Sequence, residues 1–515
     1  MIRLRNVGWT LFAVVMAWSA AWYPRPSLAQ TTAAGTITIG TTERLATLDP
    51  ADADDFFTWE VMAHLYTGLT RQKPGTLEYE LALAADHSVS TDGLTHRFTI
   101  RADAAFDDST AITAQTFADS IRRNVALNGR ASGLIRQYIA EATAEANTFT
   151  LTLVKPIPYL RQLLALPPFF PLHPTSFPSD ALANNPVPLI SNGVYRVERF
   201  EPNAALTLVA ASAWAGSAPA TRTIQITRFD FPADLRTALV RGEVDLAWRG
   251  LPFDDLDIAL KSPDVRAERA PGLQTFYLLI DVAEKPLDNL SARQGLSYMM
   301  DRERAVKLGL LGTGTPLLTL VPAALAADAP TFPTYDFEEA ERVLKAGDFT
   351  RYRRVEGVAL QTSRSLYGEL YLSAISTING NLQRQLAFGF GYFDTEPETF
   401  LDQIERGQFR MIYVGWTPLV PHPHAYLQPL LASDGWLAKG AHYRNPQIDI
   451  LLNQATLAAP ADQAALYREV QALALADVVA IPLWQNQQSV AVRNGISGVV
   501  IEPNFLLRYD QLSKR

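Results

Sequence analysis

No cysteine occurs anywhere in the 515 residues. That excludes disulfides, Cys-ligated zinc, thiol catalysis and a lipid-modified amino-terminal cysteine. Basic tracts are also missing. With a formal charge of −8 the chain has nothing to neutralise a row of phosphates, so nucleic acid is excluded as a partner. Gly309-Leu310-Leu311-Gly312-Thr313-Gly314 lacks the lysine of a phosphate-binding loop, and neither a zincin His-Glu pair nor a Gly-x-Ser-x-Gly elbow is present. Carboxylates are plentiful, but no spacing marks a glycosidase pair. What remains is a chain with 48% hydrophobic and 19% charged residues, long enough for two or three domains with ample core.

The amino terminus reads as a leader. Arg3 and Arg5 form a basic region, and Val7 to Trp22 carries no charge. Pro24 and Pro26 then break the helix, and Ser27-Leu28-Ala29 supplies the small residues a signal peptidase reads. Cleavage is expected after Ala29, leaving a soluble exported protein. An uncleaved membrane anchor is the competing reading, because the apolar run is near the lower limit for a span. No later segment approaches that limit.

The stretch Phe409 to Leu427 organises the rest. Met411, Ile412, Tyr413 and Val414 read as a buried strand that Gly415 ends, with Trp416 immediately after. Pro418, Pro421 and Pro423 fix three φ angles and remove three donors, so the loop is expected neither to extend a ladder nor to start a helix. Open α/β sheets bind ligands outside such strand ends, which makes Trp416 a candidate wall. A tryptophan capping a core beside a structural turn is the plainer alternative.

Elsewhere, Thr36 to Gly40 alternates like a short edge strand. Phe57, Val61, His64 and Leu65 repeat at helical spacing up to Gly68, with Asp54, Asp55 and Phe56 at the helix mouth. Acids there can simply complement the helix dipole. Val89 and Thr95 to Ile100 flank an Asp92-Gly93 hairpin turn, and Thr113 caps a helix carrying Phe117, Ile121 and Val125 on one face. Further amphipathic helices are expected from Phe337 to Ala346, capped by Gly347, and from Ala461 to Ala476.

Strand, tight turn, strand and capped helix in this order resemble the signature of the bacterial family 5 extracytoplasmic solute-binding proteins, which serve ABC importers of oligopeptides, dipeptides and nickel. Leu83-Ala84, Asp92-Gly93, Phe98-Thr99-Ile100-Arg101, Phe106, Thr113-Ala114 and Ser120 carry the likeness. His87 replaces the usual Trp and Ser109 the turn Gly. Similar matches follow at Ser191 to Val197, Arg241 to Leu246, Tyr277 to Asp281, Gln294 to Arg302, His442 to Pro446 and Ile481 to Trp484, so the resemblance spans roughly Thr36 to Tyr509.

The resemblance implies an α/β, two-lobed periplasmic-binding-protein fold with a hinge, three subdomains and mixed sheets flanked by helices. After a signal peptide over 1–29, lobe I would comprise 36–70, 185–270 and 488–515. Subdomain II, over 71–184, would pack on it, and lobe III would span 271–487. Such a protein is no enzyme and needs no cofactor. It acts as a monomer, closing over a small to medium organic solute, most simply a peptide, and docking on the importer's membrane subunits.

Carried over residue by residue, Asp54 falls at an acidic pocket edge beside Asp55 and Phe56. Tyr138 lies near an aromatic of the second domain, and Tyr277 lies on the aromatic strand. Trp416 walls the ligand and Trp484 stands near the cleft mouth. Leu419 departs from the pattern, since peptide binders resembling this chain place an aspartate there for the ligand's α-ammonium. Either Asp54 or Asp55 takes over that role, or the ligand has no free amine. Two other ligand classes fit the scaffold. One is an oligosaccharide stacked on Trp416, Trp484, Phe56 and Phe57, and the other is a metal chelate held by His422 and His424. An exported hydrolase or anchored sensor domain is the alternative of another class.

Overall fold

Along the chain, β1 (Thr36–Thr41) leads into α1 (Phe56–Leu65), then into a hairpin of β2 (Thr70–Gln72) and β3 (Tyr79–Leu81). Next come β4 (Ala84–Val89), β5 (Thr95–Ile100), α2 (Ala114–Ala126), β6 (Ile139–Glu145) and β7 (Thr148–Leu153). The middle supplies β8 (Tyr195–Glu201), β9 (Ala205–Ala210), β10 (Thr223–Arg228), β11 (Leu246–Trp248) and the long β12 (Val265–Ile280). The remainder adds β13 (Gly314–Pro316), β14 (Ala359–Thr362), β15 (Gly391–Asp394), β16 (Met411–Trp416), α3 (His424–Leu431), α4 (Pro460–Asp477) and β17 (Ala480–Arg493). This computed structural model describes residues 35–515 except 186, 215, 327, 347–358, 387–390 and 505. The expected leader and the Gly347 cap lie outside the described residues.

Among the described residues, eleven strands form one mixed sheet in the order β15-β14-β16-β12-β17-β11-β1-β10-β9-β8, with β13 on β17. The antiparallel pair β12 and β17 runs through its centre, with its register broken between Pro271 and Thr275. Gly272 sits in that break, where an added Cβ would lie 2.1 Å from Asn486 Oδ1. A second sheet, β4-β5-β7-β6, lies under α2, whose Thr113 cap exchanges bonds with Thr116 as a capping box. Buried residues gather into one cluster around β12, β16 and the early part of β17, and another around β1, β8 to β11 and Tyr509. A third lies between the second sheet and α2. No helix among the described residues is long and apolar enough to cross a membrane.

Two local expectations change. β1 is an interior strand, parallel to both β10 and β11, with five of its six residues buried. Its polar positions are threonine and glycine, which a buried ladder tolerates, and the Asp245 carboxylate accepts the Thr38 N–H at 2.9 Å. The strand at Met411 also continues past Val414, because Gly415 and Trp416 pair with Phe276 and Thr275. Gly415 is there for proximity, since a Cβ would lie 2.8 Å from the Phe276 ring. The proline loop does start a helix. Pro423 already has helical angles, φ −52 and ψ −41, and α3 follows directly. At a helix start its missing N–H costs nothing.

Candidate functional site

The site is built on α1. Asp55 caps it, accepting from the Thr58 N–H at 2.8 Å and the Thr58 hydroxyl at 2.6 Å. Phe57, Val61 and Leu65 point into the core beside β1. Phe56, Trp59 and Ala63, three and four residues apart, line a cavity of about 390 Å³ instead. The cavity follows the helix, roughly 15 Å for ten residues. Leu166, Pro167 and Phe170 form another side, and Leu419, Val420 and Pro421 close one end. Arg71, Glu502, Arg508 and Asp510 stand at the other end.

A third side of α1 places those last residues. Glu60 is wholly buried and accepts from Trp248 Nε1 at 3.0 Å, the Tyr509 hydroxyl at 2.6 Å and the Leu507 N–H at 3.1 Å. Arg249 lies 3.4 Å away. Burial pushes its carboxyl up, against the pull of Arg249 and these donors. One turn on, His64 stacks on Tyr509 at 4.2 Å, with Nε2 2.9 Å from the Leu507 carbonyl. Burial pushes His64 down to about 4, so it is neutral at pH 7. These bonds clamp the carboxy-terminal segment onto α1.

The loop between β16 and α3 is braced as firmly. Trp416 Nε1 donates to the Ala425 carbonyl at 2.9 Å, closing the loop on itself. Val420, 1% exposed, belongs to the hydrophobic cluster under α2, and Leu419 packs with Phe56, Leu134 and Leu166 beside Trp59. His422 and His424 sit between Tyr159 and Tyr467, with ring centroids 5.6 to 6.1 Å apart. His422 Nδ1 accepts the His424 N–H at 3.2 Å, and Tyr467 bonds His424 Nδ1 at 3.3 Å. Burial pushes the two rings down to about 4 and about 3. Among the described residues no group of three metal-ligating side chains occurs.

Of the residues singled out in the sequence, Phe56 and Leu419 meet at this cavity. Asp54 is at the surface, paired with Arg130 at 2.8 Å, and Asp55 is spent on its cap. Trp416 is half-buried at the root of the loop and outside the cavity lining. Tyr138 is buried edge-on to Tyr159, their centroids 6.3 Å apart. Tyr277 lies in the core, donating to the Leu320 carbonyl at 2.7 Å, and Trp484 is sealed against Tyr413 and Phe276. Those last three rings fill cores rather than face the cavity, Tyr138 at the end of the helix Ser132–Tyr138 and the other two on β12 and β17. Trp59 was missed, although its spacing from Phe56 was readable. The charged tail at Glu502 to Asp510 had no local signal.

The sequence descriptor of the bacterial extracellular solute-binding proteins, family 5 middle region, matches residues 78–438. The glutathione-binding protein GsiB of Shigella flexneri is 25% identical over 493 residues, covering 92% of this chain and 93% of that protein. Among solved structures, the periplasmic murein tripeptide binding protein MppA in its unliganded open form superposes with a TM-score of 0.81 at 21% identity, covering 93% and 97% of the two chains. NikA from Brucella suis, in complex with Fe(III)-EDTA, gives 0.77 at 16% identity, covering 93% and 100%. The fold is thus that of the two-lobed periplasmic binding proteins. The chain belongs to the bacterial extracellular solute-binding proteins of family 5, substrate-binding components of ABC importers rather than enzymes.

Proposed function

We propose that this chain captures a short peptide or peptide-like solute between its lobes and delivers it to the membrane subunits of an importer. The observation that carries this reading is the cavity of about 390 Å³ between Phe56 and Trp59 on α1 and Leu419 to Pro421 on the lobe III loop. Its size is within the roughly 300–1,000 Å³ of small-molecule sites. The lobes in this reading are 36–70, 185–270 and 488–515 with subdomain 71–184, against 271–487. The break in register between Pro271 and Thr275 supports a hinge there. A guest touching both walls favours the closed arrangement by its extra contacts. Phe56, Trp59 and Leu419 meet the guest, and Trp416 is a positioning residue that holds the loop through Ala425.

Relatives named for glutathione and for a murein tripeptide make tripeptides the first solutes to test. The same reading has the leader removed after Ala29 and the mature chain acting as a monomer in the periplasm. Small-angle scattering on the secreted chain should give a monomer mass and a smaller radius of gyration with glutathione or a tri- to pentapeptide pool. Edman sequencing of the same sample should begin at Gln30. An unchanged radius with every peptide would sink the capture reading.

A further inference from the structure

The two ends of the cavity along α1 differ in charge. Leu419, Val420 and Pro421 make one end apolar, whereas Glu502 and Asp510 stand at the other against one guanidinium, that of Arg508. Arg71 is in the same wall, but its Nε is 2.7 Å from the Glu80 carboxylate, which cancels its charge. His64, pushed down to about 4, is neutral at pH 7. One negative charge is therefore left over at this end.

The two carboxylates are held unequally. Asp510 accepts from Arg508 Nε and Nη2, both at 2.9 Å, and from Gln511 Nε2 at 3.0 Å. Glu502, only 2% exposed, has less. Its two oxygens share one donor, the Gly75 N–H, at 3.0 Å. Beyond that lie Gln72 Nε2 at 3.5 Å and Arg508 Nε at 3.9 Å. A carboxylate has about four lone-pair sites to fill, and an ionised one out of water is costly without a cation close by. Burial accordingly pushes the Glu502 carboxyl up, against the pull of Gly75 and Arg508. A cationic group arriving through the cavity would supply both donors and charge.

We propose that Glu502 seats a cationic nitrogen of the solute at this end of the cavity, while an apolar group of the same solute lies along Phe56, Trp59 and Leu419. The inference rests on the capture reading above and narrows its substrate class to a solute with a cation at one end and an apolar group at the other. In a peptide the cation comes from a basic side chain or from the amino terminus. Calorimetry at pH 7 with three amidated tripeptides tests the idea and separates the two sources. N-acetyl-Phe-Leu-norleucine amide carries no charge, N-acetyl-Phe-Leu-Lys amide adds a side-chain ammonium, and Phe-Leu-norleucine amide has a terminal one. At least one cationic peptide should bind about tenfold or more tightly than the neutral one. Glu502→Gln keeps an oxygen for the Gly75 N–H and removes the charge, so that preference should fall below about threefold. Unchanged binding of the neutral peptide would report that the variant is folded. Equal binding of all three peptides to the unaltered chain would overturn the inference and leave capture intact. So would a preference that survives Glu502→Gln, since the cation would then sit elsewhere. No binding by any of the three would sink capture and the inference together.

Discussion

Two regions of this protein bury a titratable group between segments far apart in the chain, and they do it differently. Glu60 lies in a cage of directional donors from Trp248, Leu507 and Tyr509, with Arg249 behind. His422 and His424 lie between flat rings of Tyr159 and Tyr467, with few bonds beyond their own loop. A cage of donors admits one register and one partner. Tilted and edge-on rings hold their neighbours without fixing them to a single position. The first kind of contact suits a tail that must not move, and the second suits a loop that reaches from β16 to the cluster under α2.

Breaking the cage should cost most. Glu60→Ala leaves an indole N–H, a hydroxyl and a backbone N–H buried without that acceptor. We expect a loss of about 3–5 kcal/mol in urea unfolding, with faster amide exchange at Leu507. Acid should strike the ring-lined region next. An unfolded histidine takes a proton near pH 6.5, while the folded His422 resists to about 4 and His424 to about 3. The unfolded state therefore binds more protons over this window, so stability is complete above pH 6.5 and drains as pH falls towards 4. The loss is on the order of 3 kcal/mol for the first ring to titrate. His64 and His87, also lowered to about 4, and His96, lowered as well, add to it, so the comparison sharpens with His422→Gln plus His424→Gln, which should flatten part of the slope and leave the share of those three.

Smaller effects separate the regions further. Val420→Ala removes two buried methyl groups from the cluster under α2 and should cost about 1–3 kcal/mol, read as a lower urea midpoint at unchanged slope. Tyr413→Phe should change stability least. Its buried hydroxyl and the Trp484 indole nitrogen lack well-formed hydrogen bonds, so removing the hydroxyl should shift stability by less than about 0.5 kcal/mol, or raise it. A loss comparable to that of Glu60→Ala would show that the cluster around β12, β16 and β17 also depends on directional bonds.

What the sequence revealed follows from how local each signal is. Asp92-Gly93 and the Thr113 cap act within a few residues, and the structure has both the hairpin and the capping box. Phe337–Ala346 is the helix its period predicts. β1 was misplaced at an edge because its neighbours, β10 and β11, are contributed nearly two hundred residues later. The same limit governed the site. Phe56 and Leu419 were readable as candidates, but Tyr277 and Trp484 were not distinguishable from site aromatics until their layers were seen on both sides. The pairing of Glu502 with Gly75 joins residues more than four hundred apart, and no pattern in either stretch announces it.

Val420, lodged among side chains from the first third of the chain, has a consequence for biosynthesis. A ribosome delivers residues in order, so the cluster under α2 waits for a valine made some two hundred and fifty positions later, and Glu60 of α1 waits for Tyr509, 449 positions on. Both parts of the interior thus stay unfinished while hundreds of further residues are added.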